Sequence, residues 1–238
     1  MESLKPFFIK SLRSMCLNKL TITILFVFSF FATILNGQTN KFNIGIEGGP
    51  SLIFLRGDEV VEIYDKITFG YSGGLTFQYN LQDNFSVKTH LAYERKGSKS
   101  TFQETDVSGI PISEFTTYTN FDYLTVPLLG HFHVGDKVRL FANFGPYFGF
   151  LFNQTNITES HNGIPKFKSS GIDDLKRLDW GLTGGLGGGF RINELLLTLE
   201  VRHNRGLYNI RKEDLTQHKL LTNSTNLLVG LAFLIGED

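Results

Sequence analysis

Ile67-Thr68-Phe69-Gly70-Tyr71-Ser72-Gly73-Gly74-Leu75-Thr76-Phe77-Gln78-Tyr79-Asn80-Leu81 alternates with a period of two. Ile67, Phe69, Tyr71, Leu75, Phe77, Tyr79 and Leu81 fall on one side. Thr68, Gly70, Ser72, Gly74, Thr76, Gln78 and Asn80 fall on the other. Successive side chains of a strand point to opposite faces, so this segment is a strand with one apolar and one small, polar face. Gln82-Asp83-Asn84 follows as a tight turn. The pattern then resumes, with Phe85, Val87, Leu91 and Tyr93 opposite Ser86, Lys88, His90 and Glu94.

The same alternation extends both ways. Upstream, Phe42, Ile44, Ile46, Leu52 and Phe54 share a parity, with Asn43, Glu47 and Ser51 on the other. Downstream, a strand over 121–134 carries Leu124, Val126, Leu128, Phe132 and Val134. Another carries Val138, Leu140, Ala142, Phe144, Phe148 and Phe150 opposite Arg139, Asn143 and Tyr147. Trp180, Leu182, Leu186, Phe190 and Ile192 face away from Asp179, Thr183 and Arg191. Leu195, Leu197, Leu199 and Val201 face away from Thr198, Glu200 and Arg202. Leu227, Val229, Leu231 and Phe233 complete the last strand, over 226–235. That makes eight strands, each long enough to cross a membrane when tilted.

The connections alternate in length. Gln82–Asn84, Gly135–Lys137 and Asn193–Glu194 are tight turns. Between them, Arg56–Lys66, Gly97–Asn120, Asn153–Arg177 and Leu207–Asn223 read as long polar loops. Three short turns and four long loops fit an even-stranded outer-membrane barrel with both termini in the periplasm. The expected fold is therefore all-β: an eight-stranded antiparallel up-and-down transmembrane β-barrel. A soluble lipocalin-like barrel binding a small apolar ligand would share the alternation but turn its apolar face inward. The aromatics near strand ends (Phe42, Phe69, Phe85, Tyr93, Phe150, Trp180, Phe233) suit the girdles of a membrane barrel instead. The inner glycines leave room for large neighbours such as Tyr147 and ease strand bending. Pro50, Pro127 and Pro146 predict bulges or strand ends, because a closed barrel has no edge to host them.

Composition agrees. The chain has 238 residues, with 23 acidic and 23 basic side chains, so no net field draws it to nucleic acid. Phe (23) and Gly (25) are over-represented, which favours strands with crowded backbones. The N-terminus reads as a targeting segment: Lys10, Arg13 and Lys19 precede an apolar run over Leu20–Leu35, then small Gly37 before Gln38. Residues 1–37 are therefore expected to form a signal peptide, starting at Met1 or Met15, with the barrel domain over 38–238. Cys16 lies before the apolar run, so the mature chain would lack thiol chemistry.

At Tyr123-Leu124-Thr125-Val126-Pro127-Leu128-Leu129 the chain resembles the Tyr-Leu-x-Ile-Pro-Leu-Leu strand of PorT-like outer-membrane barrels of Bacteroidota. Gly145-Pro146-Tyr147-Phe148-Gly149 is similar to that family, as is the Gly-rich strand after Trp180. Arg202-His203-Asn204-Arg205-Gly206-Leu207-Tyr208-Asn209-Ile210 is similar too, with His203 where Tyr is usual. The resemblance spans about 42–235 and implies an eight-stranded transmembrane barrel. The namesake takes part in type IX secretion, and most members carry no assigned role. Here the chain departs from the usual barrel ending, since no aromatic follows Phe233.

Glu47, Lys88, Glu94, Arg139, Asp179, Arg191, Glu200 and Arg202 are expected inside the barrel. Their mixed signs predict an ion-paired plug, since an unpaired charge in a narrow lumen is costly. A conducting path is the rival reading. His131 and His133 share a face, with His90 on a neighbouring strand, but nothing completes a zinc set, so they read as structural. Gly184–Gly189 fits no phosphate-loop register. Asn153, Asn156 and Asn223 begin acceptor-like triplets that read as polar loop sequence. Asp122, Ser160 and His161 are loosely external, without the spacing of an oriented base and nucleophile. Loop aromatics Phe102, Phe115, Tyr118 and Phe167 either anchor a partner or cover the barrel mouth. The expectation is a non-enzymatic outer-membrane protein without cofactors, set in outer-membrane lipid. It serves as an accessory subunit of a secretion or transport complex or as a structural or adhesive surface protein. An outer-membrane enzyme is the other alternative.

Overall fold

The computed structural model describes residues 42–58, 61, 66–160, 166–212 and 219–235. The expected signal peptide lies outside them. The strands are β1 (Phe42–Gly57), β2 (Thr68–Asn80), β3 (Phe85–Thr105), β4 (Pro111–Val134), β5 (Val138–Ser160), β6 (Phe167–Ser170), β7 (Leu178–Ile192), β8 (Leu195–Gly206) and β9 (Leu220–Ile235). Each long strand pairs antiparallel with its neighbour in sequence, and β1 pairs with β9. A ring of eight strands results, closed between β9 and β1, so within the ring each strand is paired on both sides. The four-residue β6 adds to β5 only at Thr155–Thr158, beyond the ring.

Side-chain direction settles which face is inside. Phe69, Leu140, Phe144, Leu186 and Leu199 are exposed on the outer wall, whereas Asn43, Glu47, Lys88, Glu94, Asn143, Glu200 and Arg202 are buried in the lumen. A lipocalin arrangement requires the reverse, so that alternative is excluded. Aromatic pairs mark both margins of the wall. Phe42 and Tyr79 meet at 5.0 Å near the short turns. Tyr71 stacks on Tyr93 at 5.4 Å near the long connections.

Two sequence expectations need correction. The segments read as loops over 97–120 and 153–177 are largely strand: β3 and β4 continue as one hairpin to a tight turn at Asp106–Ile110, and β5 runs on beside β4 to Ser160. These strands have 21, 24 and 23 residues, about twice what a membrane crossing needs. Their outer halves are mainly polar with scattered apolar residues such as Phe102, Ile112 and Phe115, so the alternation fades although pairing continues, as in Thr101–Thr116 and Thr117–Thr158. The prolines, second, do not cause bulges. Pro50 and Pro127 sit mid-strand with the register intact on both sides, and the ladder omits residue pairs beside them. A missing N–H deletes a rung without shifting the strand. The register shifts of β4 fall instead between Asp122 and Tyr123 and opposite Glu104–Thr105.

The glycine-rich β7 has a packing reason. A Cβ on Gly187 would overlap the Phe141 ring, and one on Gly185 the Glu200 carboxylate. A Cβ on Gly181 would lie 2.8 Å from Tyr147 Cε1. An eight-stranded lumen is only wide enough for interlocked side chains, so one bare stretch of wall lets large groups from the others meet at its centre.

Candidate functional site

The lumen gathers many buried polar and charged side chains. At its middle the Arg202 guanidinium grips two carboxylates. Its Nε and Nη2 donate to the two oxygens of Glu200, each at 2.7 Å, and its Nη1 donates to Glu47 Oε1 at 2.7 Å. Lys88 Nζ closes the ring, 2.8 Å from Glu47 and 3.6 Å from Glu200. His90 packs against Arg202 and lies 3.1 Å from Glu47. β1, β3 and β8 supply these residues, all at inward parity, and Gly185 on β7 leaves the space that Glu200 fills.

Towards the long connections a second group follows. Lys96 Nζ donates to Asp179 at 2.9 Å and lies 4.2 Å from the Tyr147 ring centre and 5.1 Å from that of Tyr123. A cation held between two aromatic faces and a carboxylate is well compensated despite complete burial. Glu94, between the two groups, accepts from Asn204 (2.8 Å), Thr125 (3.0 Å) and Ser224, with Lys96 3.9 Å away. Four carboxylates thus meet three cations, and neutral donors take up what the third cation leaves.

Above these, the lumen becomes apolar. Leu55, Val61, Phe121, Tyr123, Leu151, Leu175, Ile210 and Leu220 form one buried cluster, with Ile172 and Tyr208 against it. Val61, Leu175 and Ile210 come from three different connections, so the chain folds back over the mouth. Lys176 N donates to Ile210 O at 2.7 Å and Ile210 N to Leu220 O at 3.0 Å, which ties the cap down. The loop aromatics do not form it: Phe102 and Phe167 are exposed, and Phe115 and Tyr118 are half-buried in the extended sheet.

Six of the eight charges expected inside (Glu47, Lys88, Glu94, Asp179, Glu200 and Arg202) lie in these two groups. Arg139 and Arg191 also face inward but stop at the short-turn rim. There they donate to the backbone oxygens of Asp136 (3.1 Å) and Asn193 (2.9 Å), so they are not part of the plug. Lys96 belongs to it and was missed, although it continues the even parity of Lys88, His90 and Glu94. A small recess remains at that rim, lined by Glu47, Lys88, His131 and Arg139. His131 and His133 pack with their rings tilted, centres 5.6 Å apart, and His131 Nδ1 pairs with Asn143 Oδ1 at 2.7 Å. Among the described residues no group of three or more His, Cys, Asp or Glu is placed to hold a metal ion.

Asp122 lies on the outer face. Its Oδ1 accepts from Tyr93 Oη at 2.6 Å and Arg95 Nε at 2.8 Å, and its Oδ2 from Asn153 at 2.9 Å. Ser160 ends β5, and His161 lies outside the described residues.

A model of the outer membrane protein beta-barrel domain family matches residues 36–212. No curated protein matches the chain. Among solved structures, Ail, the attachment invasion locus protein of Yersinia pestis, is similar at 15% identity over 81% of this chain and 99% of its own, with a TM-score of 0.39. Neisserial surface protein A is similar at 13% identity over 84% and 100%, TM-score 0.40. The outer membrane protease OmpT of Escherichia coli is similar at 9% identity over 85% and 100%, TM-score 0.42.

Proposed function

The chain belongs to the outer membrane protein beta-barrel domain family, and from that premise we propose that it is a sealed, non-enzymatic barrel whose long-connection end faces out of the cell and binds a partner there. It is a protein of the cell outer membrane. The observation that carries the reading is the division of labour between lumen and outer sheet. Ion pairs and an apolar cap fill the lumen, while β3, β4 and β5 build a sheet well past the apolar wall. Phe102, Val107, Ile110 and Ile112 are exposed on its hairpin. Loops and extensions held on a rigid scaffold are where recognition usually sits.

An accessory role in an envelope complex is the favoured form, with a structural or adhesive surface role behind it. The PorT-like resemblance supports the first, and its motif residues have a physical reason to be there. Tyr123 and Tyr147 face Lys96, Arg202 centres the ion-pair ring, and Ile210 seals the cap. The non-enzymatic reading is supported by Asp122, whose oxygens are taken up by Arg95, Tyr93 and Asn153.

A tagged copy purified from native outer membranes in mild detergent tests this by mass spectrometry of what accompanies it. A stoichiometric envelope partner is expected. Replacing Phe102, Val107, Ile110 and Ile112 with Ser is expected to remove that partner while the barrel still folds. A lone wild-type barrel would contradict the accessory reading.

A further inference from the structure

The outer wall ends in a sharp polar boundary at the long-connection side. Outward residues of β8 run Leu197, Leu199 and Val201, then His203 and Arg205. On β9 the apolar series stops at Leu227, and Thr225, paired with His203, comes next. On β1 the outward series ends with Arg56. On β3 and β4 the boundary is Arg95 and Asp122.

Among the described residues these two sectors differ in their ion pairing. Arg95 is neutralised by Asp122 at 2.8 Å, with Tyr93 on both groups. In the β8–β9–β1 sector, neither Arg56 nor Arg205 has a carboxylate within ion-pair distance among the described residues. Arg56 Nη2 donates to Gly206 O at 2.9 Å, so its charge is anchored beside the strand end that bears Arg205. Arg205 is exposed. His203 Nδ1 pairs with Thr225 Oγ1 at 2.9 Å, which leaves its second ring nitrogen for another partner. Trp180 and Tyr208 pack at 6.4 Å alongside, the kind of aromatic margin that sits at headgroup level.

We propose that Arg56, Arg205 and His203 form a binding site on the barrel wall for the phosphate of a membrane lipid whose acyl chains lie against Leu199, Val201, Leu227 and Val229. A phosphate brings several acceptor oxygens and a full negative charge, matching the anchored Arg56 guanidinium, the exposed Arg205 guanidinium and one ring N–H. The apolar residues directly below supply the surface a lipid tail covers, which a free anion would not use. The site needs the membrane setting given by the family but not the partner reading above.

Native mass spectrometry of the full chain in detergent, titrated with diphosphoryl lipid A, tests it. Wild type is expected to retain the lipid. The R205Q/H203Q variant, which removes two of the three contacts, should retain it at least about tenfold less well, the least expected from losing one charge-assisted hydrogen bond. The charge-balanced R95Q/D122N variant is expected to match wild type. Equal retention by all three chains would overturn the proposal. So would full displacement by equimolar inorganic phosphate, since the site would then read the anion alone.

Discussion

Arg202→Leu is expected to destabilise the barrel by about 3–5 kcal/mol, the usual cost of removing one partner from a buried ion pair. Arg202 is 2% exposed and carries three 2.7 Å bonds to two carboxylates. Without it, Glu47 and Glu200 face each other across the lumen with Lys88 as the cation between them. Urea unfolding in detergent micelles, read by the mobility shift between folded and unfolded barrel, measures the loss. Arg202→Leu with Glu200→Leu removes one charge of each sign and fills the space with apolar atoms. That variant is expected to recover much of the stability, because a buried pair replaced by well-packed apolar groups is often neutral. If the single change costs less than about 1 kcal/mol, the ring is not what holds the centre of the barrel.

Lys96→Met is the second large effect, at about 3 kcal/mol by the same reasoning. Lys96 is completely buried, and it is the cation set against Asp179 at 2.9 Å. Its loss leaves the Asp179 carboxylate with Thr222 (2.6 Å) and Tyr147 (3.3 Å) as neutral donors. Met keeps most of the stem that packs between Tyr123 and Tyr147, so the change reports mainly on charge. Adding Asp179→Asn to Lys96→Met is expected to restore stability, giving a coupling energy in a double-mutant cycle. Additive losses from the two single changes would show that the two groups act independently.

How much of this is legible in the sequence depends on where a residue lies relative to the apolar wall. Inside that belt one face meets lipid and the other meets a crowded lumen, so Phe69, Phe77 and Leu199 contrast sharply with Gly70, Gln78 and Glu200. Strand count, closure and the tight turns follow from that contrast. Beyond the belt most residues on both faces are polar, the few apolar ones no longer alternate, and Ser98–Thr105 paired with Pro111–Thr119 reads as loop. Lys96 sits at that changeover, which hides its role even though its parity is right. Arg139 and Arg191 show the converse, since parity gives direction but not depth, and both belong to the rim. The apolar cap is less visible still. Val61, Leu175 and Ile210 are scattered over three connections, and only the fold brings them together.

Planar-bilayer recording of the purified, refolded full chain is the most direct test of the sealed lumen. The ion-paired centre and the cap built from Phe121, Leu151, Leu175 and Ile210 predict no resolvable unitary steps at physiological salt. Large, steady, ion-selective steps from the wild-type chain would contradict the account.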